Sequence, residues 1–433
     1  MNIDKVENIV KKSFDSYELF FLEERVKKFE SREKELYGVE LKEEEGIALR
    51  AIKNHKLVFS YTYDTGNDGI KSLVENAETI VNFMEDDEGV CFPDTYEAYP
   101  ALALYDKNGM QSDDEQKIQF LVTMGKSILD YDRRIIATRN CELREIATQV
   151  RIINSNGFYA EGKRTLYVLT ALCVAHDKDE VSWYDWMWSH YLNEIDGNKF
   201  GIDIARKTIS FLSSEQIPTG VYDGILRPQA SCDMLSILSH SFLAENLYKD
   251  KTKLRDKIGT QCFSENITII DSGLMGMGAF PFDGEGVSSK ENIVVKSGSF
   301  QSFLYDWYYG RKLEHPSTGN AIRRSLREPP QSGPRGLFIQ EGEKDIADEI
   351  DEGIVIEELI GTHTANPVTG DFSLGAIGHL YKKGLKKPCK GVIFSGNIFD
   401  LFNNVKEIRS NVHFYGIFGS PSLYIEGMKI SGK

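Results

Sequence analysis

The feature that most constrains the fold is the alternation of apolar and polar residues in the first part of the chain. Three stretches, ELFFLEERVKKFES, YGVELKEEEGIALRAI and KLVFSYTYD, alternate in the way that strands with one buried face require. Turns are predicted near Arg32–Leu36 and Asn54–His55. We therefore expect an antiparallel meander in this region.

Helices and a second set of strands complete the first half. Residues 4–16 carry apolar side chains at helical spacing, and amphipathic helices are predicted around Gly69–Phe83 and Asp113–Tyr131. A second strand set is predicted over residues 134–193, and a helix over Lys199–Ser214 follows it. These elements predict an N-terminal α+β domain, residues 1–214, made of an antiparallel sheet with helices.

The texture of the sequence changes at SSEQIPTGVYDG, whose proline and glycines are typical of a linker. Beyond it glycine is frequent, the predicted strands are short, and the best helix candidate is Gln229–Tyr248. A chain of 433 residues exceeds the size at which a single core keeps growing. We therefore predict a second domain, residues 215–433, that is β-rich.

An aromatic block, Trp183–Tyr191, holds three of the four tryptophans of the chain. One interpretation is a cofactor box or a substrate platform. The alternative is a half-buried strand or a dimer surface, and it is favoured because aromatic side chains dominate cores and interfaces. A two-fold dimer is expected on this ground among others, since such pairs are the commonest closed assembly.

Charge and hydropathy exclude several classes of partner. The formal net charge of −15 argues against a surface for nucleic acid, which needs clustered lysine and arginine. No apolar run approaches the roughly 18 residues that span a bilayer. The N-terminal MNIDKVENIVKKSFDSY lacks the apolar region and cleavage site of a signal peptide. We expect a cytoplasmic protein that contacts neither nucleic acid nor membrane.

The spacing of histidine and cysteine disfavours a metal site. No two of the eight histidines lie three to five residues apart, so no helix presents a pair of them. The six cysteines are scattered without a CxxC motif, as expected for reduced core residues. Metal-assisted peptide hydrolysis needs paired ligands and an adjacent glutamate. The sequence therefore predicts no metal, no cofactor and no catalytic residue, unless distant segments assemble a site.

Two polar segments are the candidate binding sites, and the first is PFDGEGVSS. It places Asp283 and Glu285 one residue apart between glycines. Paired carboxylates of this kind can bind a hard cation or perform acid–base chemistry. The alternative is a turn in which the carboxylates accept hydrogen bonds from backbone amides.

The second candidate is the segment Gly361–Ser373, predicted to be a loop between two strands. A loop rich in side-chain donors and acceptors is a better functional candidate than a core segment. We expect it to line the cavity between the two domains, or alternatively to be stabilised by its own turn network. Its candidate substrate-binding residues are His363, Thr364, Asn366 and Asp371. The lone His240 on the predicted helix Gln229–Tyr248 is a further candidate, although a solitary histidine there is more often a core or groove residue.

An ordered set of segments resembles the TldD/PmbA (modulator of DNA gyrase) family. The set includes GVYDGILRPQASCDMLSIL, SENITIIDSG followed by AFPFDGEGVSS, GSFQSFLYDWYYGRKLEHPSTGNA and EGIVIEELIGTHTANPVTGDFSLGAIGHL. SGNIFDLFNNV and SPSLYIEGMKISG continue it to the end of the chain. The resemblance is carried by the order and spacing of these segments over nearly the whole chain.

The resemblance implies an N-terminal α+β domain joined to a β-rich C-terminal domain. It also implies a dimer, either of identical chains or of a TldD-type and a PmbA-type chain. TldD-type members resemble zinc peptidases that carry HExxxH on the helix opening the second domain. Here that helix reads DMLSILSHSFLAENLYKD and keeps His240 without the partner histidine or the adjacent glutamate. This is the PmbA-like (TldE-like) pattern.

Three functions follow from these observations. The first is a non-catalytic subunit that helps a catalytic TldD-like partner to bind or process unfolded peptides or small proteins. The second is a peptidase or hydrolase whose dispersed site draws on residues such as His363, Asp371, His240 and Asp283. The third is a stand-alone homodimer that binds extended peptides at a sheet edge. The missing HExxxH motif favours the first and third.

Overall fold

The N-terminal half is built on one large antiparallel sheet. The computed structural model describes residues 3–32, 35–94, 97–345 and 350–433. The six strands lie in the order β3-β2-β1-β4-β5-β6, and every neighbouring pair is antiparallel. They are β1 (Ser16–Arg32), β2 (Glu35–Lys53), β3 (Lys56–Thr62), β4 (Ile135–Asn154), β5 (Tyr159–His176) and β6 (Glu180–Ser189).

Two groups of helices cover one face of this sheet. At one end, α1 (Ile3–Val10) and α2 (Asn67–Ile80) form a core with the first three strands. At the other end, α4 (Asp114–Leu129) and α5 (Gly197–Ser210) pack on β4, β5 and β6. The short helix α3 (Lys107–Gln111) precedes α4 in the chain. The apolar stripe of each helix faces the sheet, as the sequence pattern predicts.

The opposite face of the sheet packs against the second half of the chain. Phe20 and Ile152 of the sheet share a core with Phe280, Phe282 and Leu326 of the second half. A single strand therefore serves two cores, because its successive side chains point to opposite faces.

The C-terminal half contains a sheet that closes on itself. The strand order is β16-β15-β14-β7-β20-β17, and β16 also pairs with β20, so five strands form a ring. The strands are β7 (Gly220–Leu226), β14 (Glu352–Ile360), β15 (Asp371–Lys382), β16 (Leu385–Asn397), β17 (Val405–Ile408) and β20 (Leu423–Ser431). The helices α6 (Pro228–Ser239) and α9 (Ile398–Asn403) contribute to the same core.

A second six-stranded sheet lies beside this ring, in the order β10-β9-β8-β13-β19-β18. Its strands are β8 (Ile269–Ser272), β9 (Glu291–Lys296), β10 (Ser299–Phe300), β13 (Leu337–Ile339), β18 (His413–Tyr415) and β19 (Phe418–Ser420). The remaining elements are α7 (Ala244–Tyr248), α8 (Trp307–Lys312) and a small pair of strands, β11 (Ala321–Ile322) and β12 (Gln331–Ser332). The predicted α+β fold class, with a β-rich second half, is confirmed.

The predicted helix Gln229–Tyr248 is wrong in one respect, because it is interrupted. The helix ends at Ser239, a 3₁₀ turn covers His240–Phe242, and α7 begins at Ala244. Leu304 takes the backbone bonds at the break: its N–H donates to the carbonyl of Phe242, and its carbonyl accepts from the N–H of Ala244. A strand-like contact with a distant segment thus replaces the helical hydrogen bonds.

The first predicted helix, residues 4–16, is shorter than expected, since α1 ends at Val10. None of the helices in the described ranges is long and apolar enough to cross a membrane.

Candidate functional site

The two halves of the molecule are joined by a buried ionic network around Arg50 of β2. The guanidinium of Arg50 donates to both carboxylate oxygens of Glu18, with Nε 2.9 Å from Oε1, and its Nη1 lies 2.8 Å from Oε1 of Glu285. Arg323 forms a further ion pair with Glu18. Burial acts to lower the pKa of Arg50, but the charges of Glu18 and Glu285 outweigh it and raise that pKa. Both carboxylates are therefore paired with guanidinium groups.

The candidate residue Asp283 satisfies the backbone of its own turn. Its Oδ1 accepts hydrogen bonds from the N–H groups of Glu285 and Val287, both at 2.9 Å, and its Oδ2 accepts from Ala321 N–H at 3.0 Å. Burial, followed by the charge of Glu285, raises the pKa of Asp283 to about 7. This is the turn geometry that the sequence left as the alternative. Its part in substrate binding stays a prediction.

Glu285 borders a cavity of about 860 Å³ at the boundary between the halves. Asp306, which precedes α8, lies on the same cavity and accepts hydrogen bonds from Ser332 Oγ and from Tyr309 N–H at 2.7 Å. Burial, followed by the charge of Glu285, raises the pKa of Asp306 to about 7. Glu285 therefore combines a structural ion pair with access to a cavity.

The segment Gly361–Ser373 connects β14 to β15, as predicted, and contains a 3₁₀ turn at Thr362–Thr364. His363 is exposed, and the hydroxyl of Thr364 donates to the carbonyl of Gly361 at 2.8 Å. The turn lies against α6.

The other polar residues of this loop bond mainly to one another. Asn366 Oδ1 accepts from the N–H groups of Val368 and Thr369 at 2.9 and 3.1 Å. Asp371 accepts from the Thr369 hydroxyl and from Asn397 Nδ2, both at 2.8 Å, and these bonds, Asn397 first, lower its pKa. Such a network stabilises the loop itself. Substrate binding by His363, Thr364, Asn366 and Asp371 stays a prediction.

His240 lies just beyond the end of α6 and is exposed, so it is not a core residue. Its carbonyl accepts a hydrogen bond from Asn246 Nδ2 at 2.6 Å. Desolvation by the surrounding chain, followed by the charge of Arg324, lowers the pKa of its ring. A neutral imidazole at this position can donate one hydrogen bond through one ring nitrogen and accept another through the second.

A cluster of carboxylates lies where β6 and α5 of the first half meet α6, β14 and β18 of the second. Burial and then Glu358 raise the pKa of Asp233 to about 7, and burial is also the main cause of the raised pKa values of Asp185 and Glu358. The charges of Asp185 and Asp233 also raise the pKa of the Tyr415 hydroxyl, for which burial is the largest cause. We name this region the acidic cleft, and it comprises Asp185, Trp186, Asp233, Glu357, Glu358 and Tyr415.

The carboxylates of the acidic cleft differ in their partners. Glu357 lies 3.8 Å from Nε of Arg227 and 4.0 Å from Nζ of Lys207. Among the residues that the structure describes, the side chains of Asp233 and Glu358 have neither a hydrogen bond nor an ion pair. Carboxylates removed from water without partners are costly, so their charged forms are disfavoured.

Two edge strands meet at the acidic cleft. β6 is an end strand of the large N-terminal sheet, and β18 is an end strand of the second C-terminal sheet. The indole N–H of Trp188 donates to the carbonyl of Phe414 at 3.2 Å, and the rings of Trp186 and Tyr415 pack edge to face with centroids 6.2 Å apart. The aromatic block is thus a half-buried strand, as the favoured interpretation held. Its role in a dimer stays a prediction.

Metal ligands are not assembled in this region. Across the described ranges of the chain, no group of three or more histidine, cysteine, aspartate or glutamate side chains is arranged to hold an ion.

Comparison with known proteins places this architecture in a family. Models of the PmbA/TldA metallopeptidase family match the chain in three parts: domain 1 over residues 17–81, the central domain over residues 111–212 and the C-terminal domain over residues 219–432. An uncharacterised protein of Methanocaldococcus jannaschii is 30% identical over 389 residues, which is 88% of each chain. The chain belongs to the PmbA/TldD family. The metalloprotease PmbA homologue of Haemophilus influenzae is 23% identical over 93% of this chain and 89% of its own length.

Solved structures of the PmbA/TldD family share the fold. TldE of Thermococcus kodakarensis superposes with a TM-score of 0.89 at 22% identity, over 99% of this chain and 100% of its own. A Thermotoga maritima protein named as a modulator of DNA gyrase superposes with a TM-score of 0.90 at 23% identity, over 99% of both chains. The match to the central domain ends at residue 212 and the match to the C-terminal domain begins at residue 219, and the division into two domains at residues 214 and 215 stays a prediction.

The sequence did not single out the acidic cleft. Its residues come from four separate segments, at Asp185, Asp233, Glu357–Glu358 and Tyr415, and no motif links them. A usable signal was the charge of Asp233 on the apolar helix of this PmbA/TldD chain, since lone carboxylates rarely occupy such positions without a role.

Proposed function

We propose that this chain is a PmbA-type subunit that binds unfolded peptide in the acidic cleft and does not cleave it on its own. It would act beside a second copy of itself or beside a TldD-like chain that carries HExxxH. The observation that carries the proposal is the meeting of two edge strands, β6 and β18, beside aromatic rings and beside carboxylates that have no partner among the described residues.

Edge strands favour extended peptides as ligands. Each leaves a row of backbone N–H and C=O groups that can pair with another chain, and side-chain pockets beside the edge then supply selectivity. The rings of Trp186 and Tyr415 offer apolar area next to these edges. The boundary between two domains is also a preferred place for ligand sites.

The residues of α6 do not fit a zinc site. Zinc in a peptidase needs two histidines on one helical face and a glutamate that activates the bound water. Asp233, Ser236 and His240 follow one another on one face of the segment that opens the second half, and His240 is its single histidine. We therefore derive no hydrolytic step through a metal, and we expect the isolated chain to be inactive as a peptidase.

The hydrolase alternative has no comparable support. It needs His363, Asp371, His240 and Asp283 to act together, but Asp283 is held by three backbone amides and Asp371 by Thr369 and Asn397. Both carboxylates are thus already engaged in stabilising their own turns.

The test is a binding and cleavage assay on the purified chain. A fluorescein-labelled unfolded peptide, such as a fragment of reduced and alkylated casein, is titrated with protein, and its anisotropy is followed. We expect saturable binding and an intact peptide after overnight incubation with added zinc. Trp186→Ala should weaken binding by about tenfold, because a stacking ring is lost.

Tyr159→Ala is the matched control, since Tyr159 is an exposed aromatic residue that bonds to Glu161 on the strand β5. It should bind peptide as the unmodified chain does. Absence of binding by a folded protein would overturn the proposal. Cleavage that depends on zinc would also overturn it and would favour a hydrolase.

A further inference from the structure

The acidic cleft carries more negative charge than its own cations balance. Four carboxylates belong to it, at Asp185, Asp233, Glu357 and Glu358. Lys207 and Arg227 lie 4.0 and 3.8 Å from Glu357. The charge of Lys207 also acts on Asp185 and Glu358, and His413 acts on Asp185. The helix α6, which carries Asp233, packs against β14, which carries Glu358, and neither carboxylate has a hydrogen bond or ion pair to any described residue. The four carboxylates are therefore only partly balanced by the cations near them.

Two buried polar groups lie close to Glu357 and Lys207. His379 is 2% exposed, and neither ring nitrogen has a hydrogen bond within 3.5 Å to any described residue. Its Nδ1 lies 3.8 Å from Oε1 of Glu357, and the backbone of Ser210 also acts on its ring. The indole N–H of Trp183 is likewise buried, and it has no hydrogen-bond partner in the described part of the chain. Phe211 lies between these two rings, at 4.9 Å from Trp183 and 4.6 Å from His379. Unpaired buried polar groups cost free energy, so each calls for an explanation, and a bound ligand or water molecule is one of them.

The aromatic rings beside the carboxylates suit a cation as well. Trp186 and Tyr415 form the wall at β6 and β18. An ammonium or guanidinium group is attracted both to carboxylates and to the faces of such rings. A bare metal ion fits less well, because within the described ranges no three ligand groups converge on one point.

We propose that the acidic cleft selects peptides that carry a lysine or arginine side chain and places that side chain between Asp233 and Glu358. This inference rests on the proposed function, because it names the chemistry of the peptide bound there. A planar guanidinium can bond to two carboxylates at once, so arginine should be preferred to lysine.

The test compares three labelled peptides of one unstructured sequence that differ at a central residue: arginine, citrulline or glutamate. Citrulline keeps the shape of arginine and removes its charge. We expect arginine to bind about tenfold more tightly than citrulline, and glutamate to bind most weakly, at low ionic strength. The double variant Asp233→Asn, Glu358→Gln should bring the arginine and citrulline affinities together.

A control variant removes the same charge elsewhere. Glu43→Gln with Glu45→Gln changes two exposed glutamates of β2 and should keep the arginine preference. Asp185→Asn serves as a milder cleft variant with a reduced preference, should the double variant unfold.

The outcomes separate this inference from the proposed function. Equal affinity for arginine and citrulline peptides would overturn the inference and leave peptide binding intact. Equal loss of preference in the Glu43/Glu45 control would overturn the assignment to this cleft. Failure of every peptide to bind a folded chain would overturn the proposed function itself.

Discussion

Two groups of carboxylates lie at the boundary between the halves of this molecule, and they are treated in opposite ways. In the network around Arg50, Glu18 and Glu285 are each bonded to guanidinium groups. In the acidic cleft, Asp233 and Glu358 have no such partner among the described residues. The first group lies in the interior between the two halves, and the second lies beside two edge strands.

The difference indicates a division of labour along one interface. A charge that is buried and fully paired fixes how two surfaces fit together, because removing either partner leaves the other uncompensated. A carboxylate that is desolvated and unpaired contributes nothing of this kind to the fold. We infer that the Arg50 network holds the two halves in register and that the cleft is kept open for a ligand.

The largest expected effect is the loss of the paired network. Arg50→Ala leaves Glu18 and Glu285 buried with less compensation, so the free energy of unfolding should fall by about 3–5 kcal/mol. Denaturation by urea, followed by tryptophan fluorescence, measures it. Arg144→Ala is the matched control, because Arg144 belongs to the same sheet but is 50% exposed and pairs with Glu142, and it should cost less than about 1 kcal/mol. Equal effects of the two variants would contradict the proposed role of the network.

Removing charge from the cleft should act in the opposite direction. The pKa of Asp233 is raised from its ordinary 3.8 to about 7. The protonated carboxyl group therefore contributes its full stability to the fold below pH 3.8, and this contribution is lost as the pH rises through 7. Asp233→Asn should therefore stabilise the chain at pH 8 by about 2 kcal/mol, after allowance for partial exposure, and by much less at pH 4. Destabilisation at pH 8 would show that Asp233 has a cationic partner in the free protein.

A smaller effect is expected at Asp306. It differs from both groups because it accepts hydrogen bonds but has no guanidinium partner among the residues that the structure describes. Its pKa is also raised from 3.8 to about 7, so its contribution to stability is lost as the pH rises through 7. Between pH 6 and pH 8, the free energy of unfolding of the unmodified chain should fall by about 1 kcal/mol more than that of the Asp306→Asn variant. Parallel stability profiles for the two proteins would contradict the raised pKa.

The fold was largely predictable because its pattern is local. Alternation along β1 and β2 and helical spacing in α2 and α4 are set by which face of each element is buried. The interruption after Ser239 was not predictable from the helix itself, because it depends on backbone bonds to Leu304, more than sixty residues away. Tertiary contacts override the helix propensity of a segment where a distant strand offers its backbone alternative hydrogen bonds.

The candidate site was less accessible to sequence reasoning. Composition directed attention to Gly361–Ser373 because its polar residues are contiguous, yet Asn366 and Asp371 bond mostly within that loop and its neighbour Asn397. The acidic cleft joins residues from β6, α6, β14 and β18. The sequence therefore does not predict this cluster of charge, because it forms only when the two halves pack together. The same holds for the pairing of Arg50 with Glu285, which are 235 residues apart.

The central claim is that peptide binds between β6 and β18, and photo-crosslinking tests it most directly. The arginine peptide, with a benzophenone residue beside the arginine, is irradiated with the full-length chain, and the labelled segments are identified by mass spectrometry. We expect label on residues 183–188 and 411–415, reduced by excess unlabelled peptide and by Asp233→Asn with Glu358→Gln. Competed label confined to Gly361–Ser373, or to the cavity beside Asp306, would contradict the account.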